Sequence, residues 1–336
     1  MWKSFETRNS DKLTSRSIMF WAKTDNFIKY QEIRQETISY YIDLTLESII
    51  NKDKIGEFDL ANVLFQLYKD QFVCVSIKNN QWYEYKNHKW NEIDSGNTLR
   101  LLISKKMHDI YFTKTHELTE TIWKKENNDE NTENLKMRSK KLGDICILLK
   151  TTSWKNNIMK EAKELFYDKD FINKLDANPY LLCFNNYVVD FKNKSYRKGR
   201  PDDFISKSTN IDYIPYNNLK GTCSRQNKKY KYESIIQEIE KFMDELFPNP
   251  ELKKYMWQHL ASVLIGTNEN QTFNIYTGSG CNGKSKLVEL MGKCLGDYKA
   301  TVPITLITQK RPSIGSSSSE VVALKGVRYA VMQEPS

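Results

Sequence analysis

The chain has 336 residues, which is enough for two or three domains and excludes a single small one. Lysine and arginine outnumber aspartate and glutamate by 51 to 42, and this net charge of +9 favours a polyanionic partner such as nucleic acid, although a solvated lysine-rich surface has the same balance. Because the sequence has neither an apolar run of about 18 residues nor a signal-peptide core, we predict an intracellular protein that is not secreted and binds no membrane.

The first segments of the chain carry a helical pattern and then a strand pattern. Apolar residues recur at helical spacing from Asn26 to Ile50 and predict an amphipathic helix, and Asp59 is placed to cap a short helix that ends at Tyr68. From Phe72 to Ile93, aromatic and β-branched runs separated by polar turns predict a three-stranded meander. Its rings either pack in the core, which we favour because aromatic cross-strand pairs stabilise small sheets, or stack on bases: Trp82, Tyr83, Tyr85 and Trp90.

Helices and a second β element are predicted in the middle of the chain. Helical patterns cover residues 98–112 and 135–174, and the polar segment 126–134 between them is predicted to be a surface loop. The sequence PYLLCFNNYVVDF, which begins at Pro179, predicts two strands joined by a turn at Asn185-Asn186.

Changes of pattern predict the domain boundaries. The segment Asn217–Lys229 lacks an apolar period and contains a glycine, so it is the best candidate for a linker. Beyond it, two amphipathic helices in residues 234–266 predict a helical hairpin. We therefore predict three parts: a helical segment (1–57), an α+β domain (58–220), and a domain (231–336) in which the hairpin precedes an α/β P-loop core (270–336).

A complete P-loop pattern, GxxxxGK[ST], follows the strand-like segment Thr272–Thr277 and precedes a helical pattern that Gly296 ends. In such a loop, backbone amides and the helix N-terminus face the phosphates of a nucleotide, the lysine contacts the β- and γ-phosphates, and the serine hydroxyl binds Mg²⁺. We therefore predict ATP and Mg²⁺ as cofactors, Lys284 as a catalytic residue and Ser285 as a metal ligand. The predicted nucleotide-binding residues are Gly278, Ser279, Gly280, Cys281, Asn282, Gly283, Lys284 and Ser285.

An apolar strand pattern that ends in a carboxylate, Gly326–Glu334, lies about fifty residues after the P-loop lysine and resembles a Walker B strand. At the C-terminal edge of a parallel sheet, such a carboxylate binds Mg²⁺ through water or orients the attacking water. Glu334 is therefore the predicted general base or water-mediated metal ligand. The alternative is a surface glutamate that closes an edge strand. Gln333 stands where many such enzymes carry a second acid.

Several segments together resemble the poxvirus-type primase-helicases of nucleocytoplasmic large DNA viruses, a superfamily 3 helicase family related to phage and plasmid primase-helicases. The segment DANPYLLCFNNYVVDF, followed by RKGRPDDFISKSTNIDY, is similar to the family's signature of an asparagine-containing turn, a Val-Val-Asp strand and a Pro-x-Asp segment. Tyr187 stands where the family has a glycine in that turn. The segments IMFWAKTDNFIKYQEI and FVCVSIKNNQWYEYKNHKWNEIDSGNTLR resemble the regions that follow the primase module and begin the helicase-preceding domain.

The resemblance implies an AAA-like motor that assembles into a homo-hexamer, hydrolyses ATP at subunit interfaces and acts on single-stranded or forked DNA. It also implies a location in the host cytoplasm at viral replication sites or in the virion. By carry-over, Gly278, Gly283, Lys284 and Ser285 match the Walker A positions, and Glu334 matches Walker B.

The sequence departs from the family pattern because it stops two residues after Glu334, before a sensor asparagine and an arginine finger, and lacks the upstream primase domain. We therefore expect a middle fragment with a truncated P-loop core, whose sheet exposes apolar edges. On this expectation it binds ATP, and turnover depends on a second chain that supplies the rest of the motor.

Two functions from different classes follow. The first is an ATP-dependent DNA helicase, the motor of a viral replicative primase-helicase that unwinds DNA during genome replication. The alternative is a non-catalytic DNA-binding or assembly fragment that binds ATP without turnover. A small-molecule P-loop kinase is a weaker alternative, because no segment supplies an acceptor site.

Overall fold

The fold is described from a computed structural model, which places residues 21–23, 25–52, 55–124, 130–215, 222–225, 228–269, 271–308 and 319–332. Its contacts divide the chain into unit 1 (Met1–Glu84 and Glu92–Lys169) and unit 2 (Tyr85–Asn91 and Asp170–Ser336). Helices and small sheets are mixed along the chain, so the predicted α+β character is confirmed. Within the described residues, no helix is long and apolar enough to cross a membrane.

Unit 1 is mainly helical. Helix α2 (Glu57–Tyr68) packs against α6 (Thr152–Leu165), and α4 (His108–Lys124) packs against α5 (Glu130–Lys150). The central side chains of its core are fully buried, including those of Leu46, Leu60 and Leu99. The predicted surface loop 126–134 is wrong for its last five residues, since α5 begins at Glu130. The helices are α1 (Phe27–Lys52), α2 (Glu57–Tyr68), α3 (Asn97–Leu102), a π-helical segment (Ile103–Met107), α4 (His108–Lys124), α5 (Glu130–Lys150) and α6 (Thr152–Leu165).

The predicted aromatic meander is present as three strands in the order β1-β2-β3. Trp82 is 0% exposed and Trp90 is 3% exposed, so the core interpretation of these two rings is confirmed. Gly96, which follows the meander, has φ +65°, and a Cβ there would lie 3.2 Å from the Trp82 ring. Only glycine combines this conformation with such a close approach. The strands are β1 (Phe72–Ser76), β2 (Gln81–Lys86) and β3 (Lys89–Asp94).

Unit 2 begins with a small antiparallel sheet. Strand β5 pairs with β4 and with β6, and the pairs Cys183↔Val188 and Val189↔Tyr196 fix the register. The turn between β4 and β5 contains Asn185 and Asn186, as the sequence predicts, and Phe184 N donates to Tyr187 O across it (2.8 Å). Tyr187 is not among the residues with positive φ, so this turn does not require a glycine at that position. The elements are α7 (Phe171–Lys174), β4 (Leu181–Cys183), β5 (Val188–Asp190), β6 (Ser195–Arg197) and a 3₁₀ turn (Pro201–Asp203).

A helical hairpin and a parallel strand pair complete the described part of unit 2. The two predicted amphipathic helices are present as α8 (Tyr232–Leu246) and α9 (Pro250–Ser262), and Asn249 caps α9 by accepting from Glu251 N and Leu252 N. Strands β9 and β10 pair in parallel. The remaining elements are β7 (Thr222–Arg225), β8 (Lys228–Lys231), α8 (Tyr232–Leu246), α9 (Pro250–Ser262), α10 (Lys284–Leu295), a 3₁₀ turn (Gly296–Tyr298), β9 (Lys299–Val302), α11 (Thr305–Thr308), α12 (Ser319–Ala323) and β10 (Tyr329–Met332).

Two predictions in unit 2 are wrong. The proposed linker Asn217–Lys229 includes β7 and part of β8, which pair as an antiparallel ribbon. Main-chain hydrogen bonds hold such a ribbon together. Because these bonds do not require apolar side chains at regular spacing, the ribbon can form where the sequence lacks an apolar period. The expected strand Thr272–Thr277 has no ladder partner among the described residues and is irregular. The boundaries of the three predicted domains stay predictions.

Asp297, in the 3₁₀ turn that follows α10, joins several segments of unit 2. Its carboxylate accepts from Lys89 Nζ (3.0 Å), Asn210 Nδ2 (2.8 Å) and Ser208 N (3.1 Å). Burial by itself would raise the pKa of Asp297, but these hydrogen bonds outweigh it and hold the pKa below its ordinary value of 3.8. A depressed pKa in the folded state adds stability above the ordinary pKa, and this stability is lost as the pH falls through the folded-state pKa.

We predict that Asp297→Asn lowers the free energy of unfolding at pH 7 by about 1 kcal/mol, a value discounted for the partial exposure of this carboxylate. The difference from wild type should shrink below pH 3.8, where the wild-type carboxylate gains its proton. Urea unfolding from pH 7 downwards measures both effects. Asp43→Asn is the control, because the Asp43 side chain is 41% exposed in its ion pair with Lys114. Equal losses for both variants at every pH would contradict the prediction.

Candidate functional site

Helix α10 positions the predicted P-loop. Leu287, Met291 and Leu295 lie on one face of α10 and are buried against the hairpin residues Met243 and Leu260. This packing fixes the N-terminus of α10 at the end of the loop. Leu287 N donates to Gly283 O (3.0 Å), so the amides that precede it have no acceptor within the helix. The loop therefore ends at backbone amides and at the positive end of the helix dipole, and both stabilise a bound anion.

The loop backbone turns through two left-handed residues. Gly283 caps α10 with φ +78°, and a Cβ at this position would lie 2.8 Å from Leu246 Cδ1 of α8. Position 283 therefore requires glycine for two reasons, the left-handed backbone conformation and the close packing against Leu246. Cys281 adopts φ +60°, which costs about 1 kcal/mol for a residue with a side chain, and it is exposed. Ser279 and Gly280 are also exposed, so this part of the loop faces solvent.

Lys284 reaches back across the loop. Its Nζ donates to Gly278 O (3.0 Å) and to Asn282 Oδ1 (2.8 Å), and both bonds are exposed. Neither acceptor carries a negative charge, so these two bonds do not neutralise the ammonium, which can still form an ion pair with an anion. Three of the predicted residues, Gly278, Asn282 and Lys284, are therefore in direct contact.

Ser285 lies at an open pocket beside α10. The pocket has a volume of about 400 Å³, and Glu289, Lys293 and Lys299 also line it. Hydrogen bonds from Lys293 and Lys286 lower the pKa of Glu289 to about 2. Glu289 is consequently ionised at neutral pH, and its charge is balanced by these two lysines.

The segment Thr272–Thr277 leads into the loop and is anchored by its side chains. Tyr255 Oη donates to Asn274 Oδ1 (3.1 Å), and His259 Nε2 lies 2.8 Å from Tyr276 Oη. Burial lowers the pKa of His259. Beside these anchored residues, Phe273 is 80% exposed and Ile275 is 73% exposed. The anchoring roles of Tyr255 and His259 were not predicted from the sequence, although their i, i+4 spacing places both on one face of α9.

Strand β10 lies beside the same core. Tyr329 is buried in it and contacts the Tyr276 hydroxyl. Arg328 donates to the carbonyl oxygens of Leu264 and Leu181, and its guanidinium lies 4.6 Å from the centre of the Tyr298 ring. These contacts fix the start of the strand that the sequence predicts. The predicted acid Glu334 and its neighbour Gln333 lie outside the described residues, so the role of Glu334 stays a prediction.

Comparisons with known proteins match the chain to one family and to proteins of several viruses. Residues 61–259 match a family described as D5 N terminal like. The whole chain is 32% identical to part of a protein of Acanthamoeba polyphaga mimivirus provisionally named a helicase, and it covers 32% of that protein. It is 24% identical to a provisionally named helicase of Frog virus 3 (isolate Goorha), with all of this chain and 43% of that protein covered.

A third relative has a different name. The chain is 23% identical, over 99% of its own length and 35% of the relative, to a provisionally named primase of African swine fever virus (strain Badajoz 1971 Vero-adapted). The chain thus spans less than half the length of these three relatives. The family match ends at residue 259, before the P-loop, so the assignment of the P-loop depends on its own residues.

Proposed function

The chain belongs to the D5 N terminal like family, and from this premise we propose that it is part of an ATP-dependent DNA helicase that acts in the replication of a large DNA virus. Relatives provisionally named helicases and a primase support this proposal. The observation that carries it is the arrangement of Lys284, whose ammonium lies across the loop at the N-terminus of α10, a helix with one buried apolar face.

In the proposed nucleotide site, the loop and the N-terminus of α10 both bind the phosphates. Phosphate oxygens accept from the backbone amides at the start of α10, where the helix dipole also favours negative charge. Lys284 exchanges its two neutral acceptors, Gly278 O and Asn282 Oδ1, for the β- and γ-phosphates. Small or exposed residues at positions 278–281 leave room for the phosphates. We therefore propose the AAA-like motor as the fold of this core.

Mg²⁺ fits the proposed site through Ser285. Ser285 is exposed and directly follows the lysine, which is the position of the magnesium-binding hydroxyl in the P-loop pattern. Mg²⁺ bound there would withdraw charge from the phosphates during cleavage of the terminal phosphate bond. Glu334 remains the proposed general base or water-mediated ligand. The homo-hexamer, a second chain that completes the motor, and single-stranded or forked DNA as substrate belong to the same proposal.

Nucleotide binding tests the proposal most directly. Titration of the chain with a fluorescent ATP analogue, with and without Mg²⁺, should give saturable binding that ATP displaces and that Mg²⁺ strengthens. Release of phosphate should then be measured with and without single-stranded DNA. Stimulated release supports the helicase, whereas binding of ATP and DNA without release supports the alternative of a non-catalytic fragment. Absence of saturable ATP binding would refute both functions.

A further inference from the structure

Three tyrosines from different segments of unit 2 meet on one side of the sheet β4-β5-β6. Tyr187 and Tyr196 lie with ring centres 5.2 Å apart, and Tyr196 and Tyr213 lie 5.1 Å apart. Tyr187 follows the β4–β5 turn, Tyr196 is on β6, and Tyr213 is on the segment after the 3₁₀ turn. We call these three residues the tyrosine cluster.

Side-chain hydrogen bonds hold the cluster in place. Asn186 Oδ1 accepts from Tyr213 N (2.8 Å), and Asn186 Nδ2 donates to Tyr213 O (2.9 Å), so the amide pairs with the backbone as a neighbouring strand would. Asn185 N donates to Ile211 O (3.0 Å) in the same segment. The Asn-Asn turn therefore fixes both the position and the direction of Tyr213.

The cluster is accessible through Tyr196, whereas Tyr187 and Tyr213 are half-buried. Tyr196 is 47% exposed, and Ile211 (42%) and Ile214 (39%) extend the exposed apolar surface beside Tyr213. This differs from the meander, where Trp82 and Trp90 are buried. An exposed ring on the edge strand β6 can contact a flat partner without rearrangement of the core.

Positive charge is concentrated in the segment that carries Tyr196, while Asp212 stands beside Tyr213 in the other segment. Residues 192–200 contain five cations and no acid: Lys192, Lys194, Arg197, Lys198 and Arg200. Lys198 Nζ lies 4.6 Å from the centre of the Tyr187 ring and donates to Asn186 O. Arg197 is committed to Asp203 through two hydrogen bonds, whereas Lys192 and Lys194 are exposed in the turn before Tyr196.

We propose that the tyrosine cluster and the segment 192–200 form a binding surface for single-stranded DNA, separate from the P-loop. Aromatic rings stack on bases of any sequence, and lysines alongside them neutralise the phosphates. A protein partner fits this surface less well, because lysine is depleted from protein interfaces. Single strands fit better than duplexes, whose bases are already stacked. The choice of DNA as the polymer rests on the proposed function.

The test is the binding of a fluorescein-labelled oligo-dT to the full chain, measured by fluorescence anisotropy over a series of salt concentrations. Tyr196→Ala should weaken binding about tenfold, and Tyr196→Phe, which keeps the ring, should bind within about twofold of wild type. Lys194→Gln should reduce the slope of log K against log salt by about 1. Tyr167→Ala is the matched control, since Tyr167 is 46% exposed and lies in unit 1; it should bind like wild type.

Photocrosslinking gives a second readout that a purely structural role would not produce. An oligo-dT with one 5-iodouracil should crosslink to Tyr196 or Tyr213, as mass spectrometry of the digested chain would reveal. Unchanged binding by Tyr196→Ala, together with crosslinks elsewhere, would overturn this surface and leave the helicase proposal standing. A wild-type chain that binds ATP but no DNA would overturn both this surface and the DNA part of the proposed function. ATP binding by Tyr196→Ala should equal that of wild type.

Discussion

Replacement of Lys284 by alanine should weaken ATP binding at least about a hundredfold, because charge-assisted hydrogen bonds to the β- and γ-phosphates are lost. The amides at the start of α10 remain and still attract an anion, but they supply no full positive charge. The Lys284 side chain is bonded only at exposed positions, so its removal should leave the fold intact. Titration with a fluorescent ATP analogue measures the affinity, and circular dichroism checks the fold.

Lys286→Ala provides a matched control on the same helix. Lys286 lies two residues after Lys284, and its Nζ donates to Glu289 (2.9 Å) instead of to the loop. This variant removes the same charge from α10 and should bind ATP almost as wild type does. Equal losses for the two variants would indicate a general effect of charge, and an unchanged affinity in Lys284→Ala would refute the phosphate assignment.

Replacement of Trp82 by alanine should lower the free energy of unfolding by about 3 to 5 kcal/mol, the range for deletion of a large buried aromatic side chain. Trp82 is 0% exposed, and its ring centre lies 5.7 Å from that of Phe166. The indole also donates from Nε1 to Asn80 Oδ1 (3.0 Å), so the substitution leaves a cavity and removes a hydrogen bond. Urea unfolding followed by far-UV circular dichroism measures the loss.

Trp123→Ala is the control for this prediction. Trp123 is 83% exposed on α4, and its substitution should change the stability by less than about 0.5 kcal/mol. A Trp82→Ala variant with wild-type stability and weakened DNA binding would contradict the core interpretation and restore base stacking as the role of the meander.

The sequence predicted those elements whose formation depends on residues close together in the chain. Helices α8 and α9 were predicted from apolar residues at helical spacing, and the start of α9 is reinforced by Asn249, whose side chain caps it. The meander followed from β-branched and aromatic runs between polar turns. At the P-loop, the pattern predicted a glycine at 283, and the contact with Leu246 adds a packing reason that the pattern does not contain.

The features that prediction missed depend on residues far apart in the sequence. Thr272–Thr277 has the composition of a strand, but a strand also needs a neighbour for its main chain, and composition does not supply one. The tyrosine cluster is another case, because Tyr213 joins Tyr187 through hydrogen bonds with Asn186 across the fold. Its sequence signals were three tyrosines beside five clustered cations, and neither signal specifies that the rings meet.

Because Lys284 already bonds to its own loop, the proposed binding of ATP is an exchange of hydrogen-bond partners. The hydrogen bonds to Gly278 O and Asn282 Oδ1 must break as those to phosphate form. The observed affinity would therefore report the difference between two sets of partners, one internal and one external. Residue 282, which the P-loop pattern leaves unspecified, would then lower the affinity for ATP by stabilising the nucleotide-free state, without touching the nucleotide.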